Sequence, residues 1–343
     1  MSLSIVMPAR DAERTLAMAI QSCLAQTLPD FELVLVDHGS VDGTFSLMKK
    51  FARQDSRIDV LKKPRSAPFV SVANLAWQES RGDLIARMDA DDFSYPARLQ
   101  HQVKFLAAHP EMAACGTLVR IRKRRSPESR SHTAPDDGYA DYETWINSVV
   151  MPKAIAAERF VDSPLANPST LIRRSALEKF GGYSDPSWAE DYDLWLRMLE
   201  AGESLGKVEK VLLDWFDSDT RSTRTIDRYT QDQFQQAKAH YLARVPLVKQ
   251  RGVSICGAGP IGKKLARRLQ HEHGISVGAF FEVSDNRIGN EIDGIPVLPS
   301  EAIPDSPHRV LIGAVGLPGA RDRIRTLAKA ADFIEGTDFF CVA

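Results

Sequence analysis

Short apolar runs alternate with segments of helical period through the first hundred residues. Ser4–Met7 reads as a strand. Leu16, Ile20, Cys23 and Leu24 then recur at helical spacing, and Thr27-Leu28-Pro29 ends that helix. Phe31–Val36 is a second strand, rich in Val and Leu. The polar turn His38-Gly39-Ser40 leads into a helix that runs to about Arg53. Ile58–Leu61 predicts a third strand, Val70–Ser80 a helix, Leu84–Met88 a fourth strand, and Pro96–His109 a helix with Pro in its first turn. Strands alternating with helices predict an α/β fold with a mainly parallel sheet flanked by helices on both faces.

The middle of the chain is less regular. Leu118–Arg122 finishes a strand, and the run Arg120, Arg122, Lys123, Arg124 and Arg125, followed by Ser126-Pro127, reads as an exposed turn. Helices are expected at Tyr139–Val150, Tyr192–Ala201 and Thr225–Ala243. Composition shifts near Arg251. Beyond it come strands at Val253–Cys256, Ser276–Phe281 and Val310–Ile312, a helix near Gly319–Ala331, and a last strand at Asp338–Val342. The expected domains are therefore residues 1–245 and 251–343, the second a small βαβ domain, short for a full dinucleotide fold with two halves.

Composition narrows the function classes. The 343 residues are 43% hydrophobic and 26% charged, which excludes disorder, collagen and coiled coil as the main architecture. Net charge is -1, so no global signature of nucleic-acid binding is present. No apolar run approaches the roughly 20 residues that span a bilayer, so no transmembrane segment is expected. Met1-Ser2-Leu3-Ser4 runs directly into a strand-like segment with no charged leader. Cys23, Cys115, Cys256 and Cys341 are scattered, which argues against a disulfide framework or zinc site. Together these features predict a cytoplasmic protein.

The candidate chemistry lies at strand ends. Met88-Asp89-Ala90-Asp91-Asp92-Phe93 follows the fourth strand, and ligands of open parallel sheets bind outside the carboxyl ends of strands. Like charges about 4 Å apart at an effective dielectric near 20 repel by roughly 4 kcal/mol per pair. A divalent cation bridging to phosphate would offset that repulsion. The alternative is a solvated acidic loop whose Asp caps the next helix. Asp37 ends the second strand, ahead of the glycine-bearing turn Gly39-Ser40-Val41-Asp42-Gly43-Thr44, in which Asp42 can cap the following helix. Glu190 and Asp191 open an amphipathic helix, where acidic residues also simply favour the helix dipole.

In their order these segments resemble the inverting family-2 glycosyltransferases of GT-A fold. The resemblance is carried by Ile5-Val6-Met7-Pro8, Gln26-Thr27, Phe31–Asp37, Gly39–Thr44, Ala73-Asn74, Gly82-Asp83, Asp89-Ala90-Asp91-Asp92, Pro96-Ala97-Arg98-Leu99, Asn167-Pro168-Ser169, Gly181-Gly182-Tyr183 and Glu190-Asp191-Tyr192. It covers about residues 2–215. It implies transfer of a sugar from a nucleotide diphosphate to an acceptor hydroxyl, with inversion, in polysaccharide or glycoconjugate assembly. It further implies that Pro8, Asp37 and Asn74 line the nucleotide pocket. Asp91 would coordinate Mn²⁺ or Mg²⁺, with Asp89 and Asp92 around the ribose, metal and sugar. Asp191 would be the general base, with Glu190 and Trp188 on the acceptor side. A UDP-sugar would be the donor and a glycan or lipid-linked sugar the acceptor, with peripheral membrane association and oligomers compatible. The chain departs from the family at His38, at Arg10-Asp11 and across Ser66–Ala73, changes that bear on nucleotide identity more than on reaction class.

Gly257-Ala258-Gly259-Pro260-Ile261-Gly262 is a G-x-G-x-x-G after a strand and before a helix, with Glu282 at the end of the next strand. With Asp293–Leu298, it resembles small Rossmann-like domains attached to some sugar-processing enzymes. Gly257, Gly259, Gly262 and Glu282 are thus candidates for a second site holding NAD(P) or a nucleotide, although Pro260 removes one donor there. A structural or oligomerising role is the alternative. Two further readings of the chain compete: a nicotinamide-dependent oxidoreductase acting on a nucleotide sugar, which rests on Gly257–Gly262 alone, and a non-catalytic sugar-nucleotide-binding protein. The basic run Arg120–Arg125 reads as a solvated loop or, alternatively, as a patch for anionic acceptors or membrane surfaces.

Overall fold

The computed structural model describes residues 2–123, 137–217 and 226–343. Arg124, Arg125 and Ser126-Pro127 of the expected basic turn, and Thr225 at the head of an expected helix, lie outside the described residues.

The chain forms two compact units, Met1–Ile155 with Pro164–Ile226, and Ala156–Ser163 with Asp227–Ala343. In the first, β1 (Leu3–Ala9), β2 (Glu32–His38), β3 (Ile58–Lys63) and β4 (Leu84–Arg87) pair in parallel in the order β3-β2-β1-β4. β1 and β2 are buried along their whole length because helices cover both faces. The helix Glu13–Leu24 buries Leu16, Ala19, Ile20 and Cys23 at i, i+3, i+4 and i+7.

The sheet continues through strands of mixed direction. β5 (Phe93–Ser94), β6 (Met112–Lys123), β7 (Leu171–Arg173) and β8 (Ser204–Asp217) extend it in the order β4-β7-β6-β8-β5. β6 and β8 run parallel to each other, whereas β7 is antiparallel to both β4 and β6. Arg120, Arg122 and Lys123 therefore belong to β6 rather than to a turn, and Arg122 pairs with Asp214 of β8 at 3.3 Å. The helix Glu190–Glu200 places Tyr192, Leu194, Trp195 and Met198 in the core, with Trp195 fully buried.

The second unit holds a sheet ordered β11-β12-β10-β9-β13-β14, built from β9 (Val253–Cys256), β10 (Val277–Glu282), β11 (Glu291–Ile292), β12 (Ile295–Pro299), β13 (Leu311–Gly313) and β14 (Phe339–Cys341). Every neighbouring pair but β11 with β12 is parallel. This is more than one βαβ unit, which 93 residues accommodate because the strands are only two to six residues long. The helix Gln231–Arg244 belongs here and not with the first 245 residues. Its Asp232 forms ion pairs with Lys264 and Arg268 at 2.5 and 2.6 Å, and its buried Lys238 donates to the Val161 and Val342 carbonyls at 2.7 and 2.9 Å.

Candidate active site

The site is built at the carboxyl ends of β1, β2 and β4. Asp37, the sixth residue of β2, is completely buried. Its Oδ1 accepts a hydrogen bond from the Ser40 amide at 3.2 Å. Its Oδ2 has no hydrogen-bond partner among the described residues, and the Lys62 ammonium stands 3.8 Å away. A buried carboxylate oxygen without a donor is costly unless a ligand supplies one. Pro8 on β1 lies beside Val36 in the register.

The turn after β2 depends on Gly39, whose φ is +60° and whose added Cβ would lie 2.3 Å from the Arg65 amide nitrogen. Asp11, in the matching turn after β1, adopts φ of 50°. It accepts from the Val41 amide at 2.9 Å and pairs with Arg65 at 2.7 Å, which holds its carboxyl below the usual carboxylate range. The Arg10-Asp11 departure is thus part of a latch between the two turns. His38 is buried, and its Nε2 meets the Ala67 carbonyl at 2.8 Å.

Beyond β4, Asp89, Asp91 and Asp92 each offer a carboxylate oxygen, and these oxygens lie within 4.8 Å of one another. Asp92 is buried and accepts from the Phe216 amide at 2.8 Å. Arg87 is buried and pairs with Asp89 at 2.8 Å. A second buried guanidinium, Arg98, donates to the Pro168 carbonyl at 2.6 Å and the Arg87 carbonyl at 3.3 Å. These two cations answer part of the repulsion. The sequence carried a signal for Arg87, a cation in the otherwise apolar run Leu84–Met88 directly before the acidic trio. Oxygen-only donors in this number suit a hard divalent cation.

Glu190 and Asp191 begin their helix beside this cluster. The Asp191 carboxyl is pushed up to about 7 by burial, by the neighbouring Glu190 charge and by Asp89. An Asp with the ordinary value would be fully ionised at neutral pH, whereas this one is divided between its two forms there. The Asp191 Oδ1 accepts from the Tyr192 amide at 2.8 Å.

Two candidate residues have structural partners. Asn74 spans 109 residues to the Tyr183 backbone, accepting from its amide at 2.9 Å and donating to its carbonyl at 2.8 Å. It also accepts from the Trp77 indole at 2.9 Å. Its visible work is to hold the Gly181–Tyr183 turn that leads to Asp191. The Trp188 indole donates to Asp193 at 3.0 Å, and Asp193 pairs with Arg197, whose guanidinium binds the Phe180 and Gly182 carbonyls. Gly257, Gly259, Gly262 and Glu282 lie in the other unit and form a separate group.

The family model described as "Glycosyl transferase family 2" matches residues 4–181, more than half of the chain. EpsE of Bacillus subtilis (strain 168) is 31% identical over 58% of this chain and 67% of its own length. The O-antigen biosynthesis glycosyltransferase WbnJ of Escherichia coli is 26% identical over 57% of this chain and 71% of its own. The chain thus spans only part of each relative. Among solved structures, the mannosyltransferase PcManGT from Pyrobaculum calidifontis, in complex with GDP-Man and Mn²⁺, superposes with a TM-score of 0.51 at 17% identity, covering 78% of this chain and 69% of that one. Likeness at that identity speaks for the fold.

Proposed function

The chain belongs to glycosyl transferase family 2, and from that premise we propose that it moves a sugar from a nucleoside-diphosphate donor to an acceptor hydroxyl, with inversion. The observation that carries this reading is the meeting of two acidic groups beyond the carboxyl end of β4: the trio Asp89, Asp91 and Asp92, and the Asp191 carboxylate, whose proton affinity Asp89 raises.

Asp37 holds the base. Its unpartnered Oδ2 is suited to accept an imide N–H such as that of uracil, which makes a UDP-sugar the first donor to test. Pro8 forms part of the floor of that pocket. Asp91, with Asp89 and Asp92, would hold Mn²⁺ or Mg²⁺, and that cation would neutralise charge on the departing diphosphate. Arg87 fixes Asp89, and Arg98 fixes the backbone beneath the trio. Asp191 takes the acceptor proton, since an alcohol is a weak nucleophile without a carboxylate in hydrogen-bond reach. A carboxyl raised to about 7 is a stronger base than an ordinary Asp. Glu190 maintains that raised affinity. Trp188 closes the acceptor side, its orientation set by Asp193.

The acceptor class is a growing glycan or a lipid-linked sugar, a reading supported by the O-antigen biosynthesis role in the name of WbnJ. No helix among the described residues is long and apolar enough to cross a membrane. Release of nucleoside diphosphate from a panel of UDP-, GDP- and dTDP-sugars, with Mn²⁺ or Mg²⁺, tests the reading. One donor should be consumed by the wild type and spared by Asp91→Asn. No consumption of any donor with either cation, by well-folded protein, would overturn it.

A further inference from the structure

The unit formed by Ala156–Ser163 and Asp227–Ala343 contains a cavity of about 550 Å³. That volume falls in the small-molecule range. The cavity opens at the carboxyl ends of β9, β10 and β13 and is lined there by Gly257, Gly259, Glu282, Val283, Val315 and Leu317. In the order β12-β10-β9-β13-β14, the chain leaves β9 for β10 on one side and returns to β13 on the other. Ligands of open parallel sheets sit in the crevice at such a reversal.

The walls differ in chemistry. Gly257 has φ of +108°, and a Cβ on Gly262 would lie 2.0 Å from the Gly257 carbonyl oxygen, so the turn and the following helix are pressed together. Over Gly259 there is open space, and a Cβ placed there would first meet Nη1 of Arg287, 4.0 Å away. The same guanidinium donates to Oε2 of Glu282 at 2.9 Å, using one of its five N–H groups. Glu282 also accepts from the Ala258 amide at 3.2 Å and the Val283 amide at 2.9 Å. A carboxylate has about four acceptor positions, so room remains for one hydroxyl. Two large apolar side chains stand at the mouth, Val283 after β10 and Leu317 after β13, each 72% exposed. They flank the crevice from opposite sides of β9.

We propose that this cavity binds a nucleoside phosphate, with the base between Val283 and Leu317, a ribose hydroxyl on Glu282, and the phosphate over Gly259 against Arg287. The first turn of the fourteen-residue helix Pro260–His273 adds its dipole. Pro260 lacks an N–H there, so Arg287 carries most of the phosphate recognition. This site differs from the one in the first unit in its charge. Here a single carboxylate, Glu282, is already balanced by the Arg287 guanidinium, whereas three carboxylates cluster there, so binding needs no divalent cation.

The test uses the full chain in EDTA, titrated calorimetrically with AMP, ADP, UDP and NAD. At least one should saturate a single site, and the four arms tell which base is preferred and whether a second nucleotide half is tolerated. Arg287→Ala and Leu317→Asp alter exposed or half-exposed side chains, so both should melt as the wild type does. Each should weaken binding by at least about tenfold, whereas Asp91→Asn should leave the affinity unchanged. Absence of saturable binding by all four at millimolar concentration would overturn the proposal. So would binding that survives both variants, or binding that is lost in Asp91→Asn.

Discussion

Asp191→Asn separates the catalytic from the energetic consequences of the raised carboxyl. The folded protein holds the Asp191 carboxyl near 7 against an ordinary value of 3.8. At about 1.36 kcal/mol for each pH unit, ionising it in the native state costs at most about 4 kcal/mol. Because the folded value is raised, the protonated form favours folding below pH 3.8, and that advantage is lost as pH rises through about 7. Some 2.5 kcal/mol, roughly, of this ceiling develops between pH 5 and pH 8, and solvent screening of a half-buried group reduces it to about half. Asn carries no charge at either pH. Relative to wild type in EDTA, the variant should therefore gain about 1–2.5 kcal/mol more stability at pH 8 than at pH 5, measured by urea denaturation at each pH. Its kcat should fall by about 10²–10⁴-fold with donor affinity little changed. Glu190→Gln lowers the Asp191 proton affinity instead and should keep measurable turnover. An equal stability change at both pH values would refute the half-buried, repelled carboxylate. Near-normal kcat in Asp191→Asn with collapse in Glu190→Gln would move the base to Glu190.

Other outcomes follow from the same geometry. Arg87→Leu removes the buried partner of Asp89 and should cost about 3–5 kcal/mol in EDTA, with part of the loss recovered when Mn²⁺ is added; no recovery would separate the trio from metal binding. Gly39→Ala meets both a φ of +60° and backbone at 2.3 Å, so it should destabilise by more than about 1 kcal/mol and weaken nucleotide binding. A neutral result there would show that the turn is not fixed as described. A nucleoside diphosphate should bind the wild type much more tightly with Mn²⁺ or Mg²⁺ than with a chelator, and equal affinity by calorimetry would remove the metal from the first unit.

The parallel half of the main sheet was legible because β1, β2 and β4 are apolar runs divided by helical periods. β8 was not, since Lys207, Glu209, Lys210 and Asp214 interrupt its apolar positions without a period of two, and its pairing with β6 lies almost a hundred residues away in the chain. β7, three residues long, has too few positions to show a period. In the site, the acidic trio and the Asp37 turn stood out because chemistry and chain position coincide there. The work of Asn74 and Trp188 was hidden because their partners are set by tertiary contacts, Tyr183 for one and the Asp193–Arg197 pair for the other. The proton affinity of Asp191 was hidden for the same reason. Nothing local in Glu190-Asp191-Tyr192 announces that Asp89 will lie nearby.

The central claim is inverting transfer at the joined site of Asp91 and Asp191, and the anomeric form of the first product tests it most directly. With Mn²⁺ and the α-linked nucleotide sugar that the enzyme consumes, proton NMR followed from the first minutes, before mutarotation, reads the released or transferred sugar. The account predicts the β-anomer, formed together with nucleoside diphosphate and at least about a hundredfold more slowly in Asp191→Asn. An α-anomer from the wild type would contradict it.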